Sequence, residues 1–559
     1  MRRLGVCAGF VALAVASSVG AAEYIDGKPL NQVVSEDVRA CRSGIDVTMP
    51  IIAWGADGVT IHANGNALST EAGLFEDAGW DVTLEVVDDF AEQVRRYMRC
   101  DSPFLRGTLG MLMAAAPVTE ANSQTELQVI YKHSWSAGDG IVGAAGIRNV
   151  QDLRGKKIAI QAYGPHVDFV GRILADSGLS FDDVTVVWTQ DLTGESASTP
   201  VQALVDGEVD AAAMILPDAR TLTSGGAVGT GAEGSVKGAT ILFSTQEAAA
   251  VIADYIAVRK DFLDANRSDV EAMVAALFKA EERMRQFMAD PQEPRRATLA
   301  ALMAEELLGG LPPEEGVFLW QDAITDGWVG NVSHFTNEAD PRGFGELTRE
   351  VNIALRGAGI LEQPFELSHA GWTYSEMADG LESVSERQIA AFDPDAAAKA
   401  VTDLRKQGLI EDATKIEFRV FFEPDSQRFP ADLYEDDFTE MLRLAATYSG
   451  AIITLEGHAD PLHFLRREKE GADPKELRAI RTAGRNLSLE RSQALLQALE
   501  AYATGAGVAI NVDQFTLDGI GIAAPEHNPP KTEQEWRANM RVVVRVLTTQ
   551  AEATTFNPL

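Results

Sequence analysis

Metal and redox chemistry have little to work with in this chain, which holds three cysteines and eight histidines in 559 residues. No paired Cys/His spacing accompanies them, so no zinc motif can be written and no metal is expected. Beyond the N-terminus no stretch approaches the roughly 20 consecutive apolar residues that a spanning helix needs, which argues against an integral membrane segment in the mature chain. Basic residues are also scarce, 48 Lys and Arg against 83 Asp and Glu, for a formal charge of −35. A surface of that sign gains nothing from nucleic acid or anionic lipid and reads as a solvated acidic exterior. Catalytic signatures are missing as well: there is no G-x-S-x-G elbow and no cysteine with a partnered histidine. The sequence therefore favours a binding protein without a cofactor over an enzyme. Its one G-x-G-x-x-G match, Gly229 to Gly234, follows no clear strand and contains Glu233, so it reads as a surface loop.

The N-terminus carries Met1-Arg2-Arg3, an apolar stretch over 4–19 and the small residues Gly20-Ala21-Ala22, the form of a secretory signal occupying 1–22. Export without a spanning segment points to the periplasm. Cys7 leaves with the signal, so Cys41 and Cys100 remain as one possible pair in an oxidising compartment. A disulfide is expected, two buried free thiols being the alternative. At this length one core is too few, and two or three domains are expected.

Hydrophobic periodicity over 45–115 reads strand, helix, strand, helix, strand, with helices at 66–76 and 90–98 and strands at 47–53 and 80–87. A second series runs through strands at 127–131, 140–143 and 157–160, a helix at 166–177, and strands at 184–188 and 211–215. Strands alternating with helices call for a mostly parallel sheet in each of two lobes. Apolar strand character returns over 240–258, and helices dominate from 261 to about 381, where the chain crosses back to the first lobe. The charged, alanine-rich 382–414 reads as a partly helical linker. A smaller α+β unit follows over 415–548, with strands at 416–422, 451–456, 508–511 and 541–547 and helices at 434–448 and 489–503; 549–559 is a tail.

Open α/β sheets bind ligands beyond the carboxyl ends of their strands. The loops in that position hold Trp54 and Asp57, Trp135, Gln161 with Tyr163 and His166, and Asp218. Flat aromatic surface from Trp54, Trp135 and Tyr163 would wall a small-molecule cavity, and Asp57, Gln161, His166 and Asp218 would supply polar contacts. Aromatics with a carboxylate favour a cationic or ring-containing ligand; helix N-termini favour an anion. The sequence leaves both open.

Residues 45–380 resemble the periplasmic substrate-binding proteins of nitrate, sulfonate and taurine uptake. The resemblance is carried by Ala72-Gly73-Leu74-Phe75-Glu76 with Gly79-Trp80-Asp81-Val82, by Asp152-Leu153-Arg154-Gly155-Lys156-Lys157-Ile158-Ala159-Ile160, and by Val205-Asp206-Gly207-Glu208-Val209-Asp210-Ala211. It implies a type II periplasmic-binding-protein fold with a ligand held between two α/β lobes (23–381), and an ABC-type permease as partner.

Residues 415–548 resemble the OmpA-like peptidoglycan-binding domain. The matching residues are Phe418 to Phe422 with Ser426, Glu456-Gly457-His458-Ala459-Asp460, Leu487-Ser488 with Arg491-Ser492, Gly519-Ile520-Gly521 with Pro525, and Asn539-Met540-Arg541-Val542. Diaminopimelate in the peptide stem carries an ammonium and a carboxylate, which suit Asp460 and Arg491 respectively. Ser488 reads as the N-cap of the helix carrying Arg491, which sets that cation against the helix dipole, and 461–485 reads as a long charged loop. His458 reads as a support for the strand end. The leading expectation is a solute receptor tethered noncovalently to the wall, its front portion free to open and close. A wall-anchored scaffold or sensor and an enzyme on a receptor fold are the rivals.

Overall fold

The computed structural model describes residues 24–41, 44–193, 198–232, 234–382, 393–422 and 429–547. The expected signal peptide at 1–22, the tail at 549–559, Ser426, Glu233 and residues 383–392 of the expected linker lie outside the described residues.

Three sheets form the first half, one two-stranded and two five-stranded. Val47, Met49 and Ile51 turn inward from β1 (Asp46–Ile51), which pairs in parallel with β2 (Asp81–Val86). From β3 (Phe104–Thr108) the chain passes directly into α1 (Leu109–Thr119), and the Thr108 hydroxyl caps the turn by accepting from Met111 N at 3.2 Å. The run Leu-Gly-Met-Leu-Met-Ala-Ala-Ala is apolar on every face, which suits only a helix enclosed on all sides, and α1 is buried along its length except at Pro117. Next come β4 (Leu127–Ser136) and, two residues later, β5 (Asp139–Gly143), the first strand of the second lobe. That lobe continues through β6 (Lys157–Gln161), α2 (Val167–Asp176), β7 (Thr185–Thr189), β8 (Ala211–Ile215) and β9 (Thr240–Ser244). The return strand β10 (Ala253–Arg259) lies antiparallel between β3 and β4, and the short β11 (Ala323–Ile324) and β12 (Ser368–His369) pair with β4.

The second-lobe sheet runs β7-β6-β8-β5-β9, parallel on β6 and antiparallel on β5. A mostly parallel sheet was the expectation in each lobe; the difference arises because β4 leads to β5 across two residues and β9 to β10 across turns and bends at 245–252, without the helical crossover that parallel neighbours require. A second correction concerns 66–76. Gly65 and Asn66 both have positive φ, 85° and 62°, and end a helix at Asp57–Ala63, so only Leu74–Asp77 is helical in the expected segment. Cys41 and Cys100 form a disulfide with Cα atoms 5.3 Å apart. A helix over Phe344–Gly357, α3, packs against both α1 and α2.

Within the span read as a linker, α4 (Pro394–Gln407) lays Ala397 and Val401 on Ile452 and Leu547 of the C-terminal sheet, and Arg405 forms ion pairs with Glu456 and Asp518. That sheet comprises β13 (Thr414–Phe421), β14 (Ile452–His458), β15 (Phe515–Gly521) and β16 (Arg541–Leu547) in the order β13-β16-β14-β15. Both inner strands, β14 and β16, are buried at every position. Helices α5 (Ala431–Thr447), α6 (Leu462–Lys469) and α7 (Pro474–Ala506), with a short helix at Glu533–Ala538, pack in the same unit. The expected strand at 508–511 is extended loop instead; its apolar residues line the cavity described next.

The C-terminal unit docks on the first half across the strands that connect its lobes. On the second lobe, Asp176 at the end of α2 is paired with Arg443 at 2.8 Å and accepts from the Tyr448 hydroxyl, while the Tyr448 ring lies 5.5 Å from Phe243. At the crossing, Ala250 N donates to Thr447 O and Gly450 N to Glu247 O, each at 3.2 Å. On the first lobe, Asn337 Nδ2 donates to Gly507 O at 3.1 Å. A cavity of about 300 Å³ remains between the two halves, lined by Trp135, Ile324 and Asp326 on one side and Leu442, Val508 and Ile510 on the other. The span 382–414 reads as a linker in the sequence, and the two halves on either side of it are in direct contact. Among the described residues no helix is long and apolar enough to cross a membrane.

Candidate functional site

The lobes meet where α1 faces α2. Gly110, in the first turn of α1, lies so close to Asp168 of α2 that a Cβ at 110 would collide with Asp168 Oδ1. That oxygen is buried and has no hydrogen-bond partner. Burial pushes the Asp168 carboxyl up to about 7; the backbone N–H groups of Asp168 and Phe169, and then Arg342, oppose the rise, and Asp254 adds to it.

Behind this contact sits a buried polar core. Arg106 Nε bonds both Asp57 oxygens at 3.0 and 3.1 Å, and its Nη1 bonds Asp254 at 2.8 Å. Asp254 accepts from Ser134 Oγ at 3.2 Å, and Ser134 Oγ accepts from Trp54 Nε1 at 3.1 Å. His133 Nε2 lies 3.0 Å from Thr60 Oγ1. From the second lobe, His166 Nε2 meets Asp139 Oδ1 at 2.7 Å, and Asp139 accepts from Ser136. The charges of Asp139 and Asp168 both act on this core, Asp139 directly on Asp254. Arg342 donates to Ala250 O at 2.8 Å and to Glu350 at 2.7 Å. His133 Nδ1, His166 Nδ1, Asp168 Oδ1 and Arg342 Nη2 are buried without hydrogen-bond partners. Native interiors rarely leave such groups unmet, and of these Asp168 and Arg342 lie close enough for the Arg342 charge to act on the Asp168 carboxyl.

Of the seven sequence candidates, Trp54 and Asp57 enter this core through Ser134 and Arg106, and His166 enters it through Asp139. Asp57 is fully enclosed beneath Arg106 and presents no free edge. Trp135 faces the cavity beneath the C-terminal unit, its Nε1 donating to Asp326 at 2.8 Å with Lys132 Nζ 4.2 Å from its ring. Gln161 donates to Gln190 O at 3.3 Å, and Tyr163, at φ 59°, donates to Lys28 O at 2.7 Å; neither bonds to the core. Asp218 is half-buried in the helix Leu216–Leu222, its carboxyl raised by burial. Arg106, Asp168, Asp254 and Arg342 were missed. Arg106 and Asp254 each stand inside a mostly apolar strand, a signal that marks a paired buried charge.

The raised Asp168 carboxyl predicts a pH dependence with a definite sign. A carboxyl that holds its proton to about pH 7 in the fold but to about 3.8 elsewhere contributes stability that is full below the lower value and lost as pH rises through the upper one. Asp168→Asn is therefore expected to be near neutral at pH ~4 and stabilising by roughly 2 kcal/mol or more at pH ~8, read by denaturant unfolding at both values. Equal differences at both would contradict it.

In the C-terminal unit, Asp460 follows β14, its Oδ2 accepting from Leu462 N at 2.9 Å and its Oδ1 from Asn539 Nδ2 at 3.3 Å. Arg491 is buried, its guanidinium 4.0 Å from the centre of the Phe422 ring. Phe422 N in turn bonds Met540 O at 3.5 Å, so the contacts of Asp460 and Arg491 meet at the 539–540 corner. Ser488 is not an N-cap: α7 starts at Pro474 under the Asp473 cap, which places Arg491 in mid-helix and removes the argument from the helix dipole. Ser488 Oγ instead accepts from Gly521 N at 3.0 Å, tying α7 to β15. Gly457 and Gly519 permit this approach, since a Cβ on either would strike the helix backbone. The expected loop at 461–485 is α6 and the first turns of α7. His458 Nδ1 lies 3.2 Å from Ala524 O, and burial holds the ring down to about 4. Among the described residues no group of side chains is placed to hold a metal ion.

Residues 128–293 match the family model described as NMT1/THI5 like, which covers less than half of the chain. Among solved structures, the alkanesulfonate-binding protein SsuA from Xanthomonas axonopodis pv. citri, bound to MOPS, is 16% identical over 58% of this chain and 96% of its own, with a TM-score of 0.39. The periplasmic nitrate-binding protein NrtA from Synechocystis PCC 6803 is 12% identical over 62% of this chain and 90% of its own, with a TM-score of 0.43. The periplasmic aliphatic sulphonate binding protein SsuA from Escherichia coli is 17% identical over 51% of this chain and 85% of its own, with a TM-score of 0.38. No curated protein matches the chain.

Proposed function

We propose that the first half is a periplasmic solute receptor of an ABC-type uptake system and that the C-terminal unit, read as OmpA-like, holds it noncovalently to peptidoglycan. The observation that carries the receptor reading is the unmet, buried Asp168 Oδ1 where α1 and α2 face each other between the two lobes. Contacts made by a solute at that interface would favour the lobe arrangement that a permease reads. The family match over 128–293 supports the same reading. For the anchor, Asp460 would accept from the ammonium of the peptide stem and Arg491 would donate to its carboxylate. Native mass spectrometry of gently purified protein tests the receptor reading. A bound small molecule, released together with a change in small-angle scattering, is the expected result; no ligand retained and no scattering change with any added solute would contradict it.

A further inference from the structure

Resting on the receptor reading, we infer that the interlobe site takes a small solute by a nitrogen donor head, an ammonium, amidinium or amino heterocycle, held by Asp168, and not a bare oxyanion. The N-terminus of α1, an eleven-residue helix, opens onto the interlobe contact and is the place where an oxyanion would be stabilised by backbone N–H groups and the helix dipole. That place is filled from the other lobe. Gly110 leaves room for no atom but the Asp168 carboxylate, whose Oδ1 is buried and unpartnered. The nearby cations are committed: Arg106 to Asp57 and Asp254, and Arg342 through Nε and Nη1 to Ala250 and Glu350. Asp254 and Asp139 add further negative charge around the contact. An entering oxyanion would meet an occupied helix end and like charge, whereas a nitrogen donor would meet Asp168 Oδ1, the one oxygen of that carboxyl left unmet. Arg342 Nη2, also unpartnered, suits a single acceptor atom elsewhere in the same molecule.

The test is calorimetric titration of the full mature chain and its Asp168→Asn variant with ethanolamine, acetamidine and aminopyridine on one side and nitrate and ethanesulfonate on the other. The native chain is expected to bind at least one nitrogen probe about tenfold or more tightly than either anion, the scale of one charge-assisted hydrogen bond. The variant is expected to lose that preference and to admit an anion. Circular dichroism checks its fold, and Gly110→Ala, whose methyl displaces the carboxylate, is expected to weaken the nitrogen probes about tenfold. Preference of the native chain for nitrate or ethanesulfonate, or an unchanged preference in both variants, overturns the ligand class and leaves the receptor reading standing. Binding of neither set also overturns the ligand class, while the receptor reading is decided by the native mass spectrometry.

Discussion

Arg106→Met is expected to leave the first half largely unfolded at neutral pH. The substitution removes the only cation bonded to Asp57 and Asp254 among their described contacts and strands two carboxylates in a core where all three side chains are almost fully enclosed. Breaking one buried ion pair from one side costs about 3–5 kcal/mol, a large part of the roughly 5–15 kcal/mol that holds a domain together. Acid should partly rescue the variant, because stranded carboxylates can take protons, so its deficit against the native chain narrows as pH falls toward ~4. Arg106→Lys keeps the charge but not the fork that meets Asp57 and Asp254 together, and should fall between. Thermal melts at two pH values decide it. A melting temperature unchanged in Arg106→Met would mean that the polar core contributes nothing to the fold.

Asp176→Ala should detach the C-terminal unit from the receptor half. Asp176 is enclosed between Arg443 and Tyr448 of one half and Arg172 of its own, and Arg172 continues to Glu350 at 3.2 Å. Its loss leaves two guanidinium groups and a hydroxyl facing a void, again about 3–5 kcal/mol. Because the remaining hydrogen bonds described across the interface are few, the effect should fall on docking: a larger radius of gyration and faster cleavage by protease, with each half still folded. Since the interface spans both lobes and the strands between them, detachment should also change solute affinity. Unchanged scattering and cleavage would contradict a docking role for Asp176.

Much of the strand order was legible because buried strands announce themselves as short apolar runs: the strands from 127 through 215 and the last strand at 541–547 fall where periodicity puts them. The failures have local causes. Apolar residues at 508–511 mimic a strand but are apolar because they cover the junction between halves. Asp473-Pro474 is an ordinary helix start, overlooked because the charged residues before Arg491 resemble a solvated loop. The site was harder to read. Asp168 and Gly110 stand 58 positions apart in sequence, and Asp176 and Tyr448 stand 272 apart; only the fold brings them together. Trp135, a candidate ligand wall at a strand end, faces the other side of the crossing because the alternation of β4 sends neighbouring side chains to opposite faces.

Sedimentation with purified sacculi tests the wall-attached receptor most directly. Asp460→Asn preserves shape while removing the charge, and Arg491→Lys keeps charge while losing the bidentate fork over Phe422. The native chain should pellet with sacculi, and each variant, folded by its melting curve, should bind about tenfold or more weakly. Equal pelleting of all three chains, or no pelleting of the native one, would contradict the account.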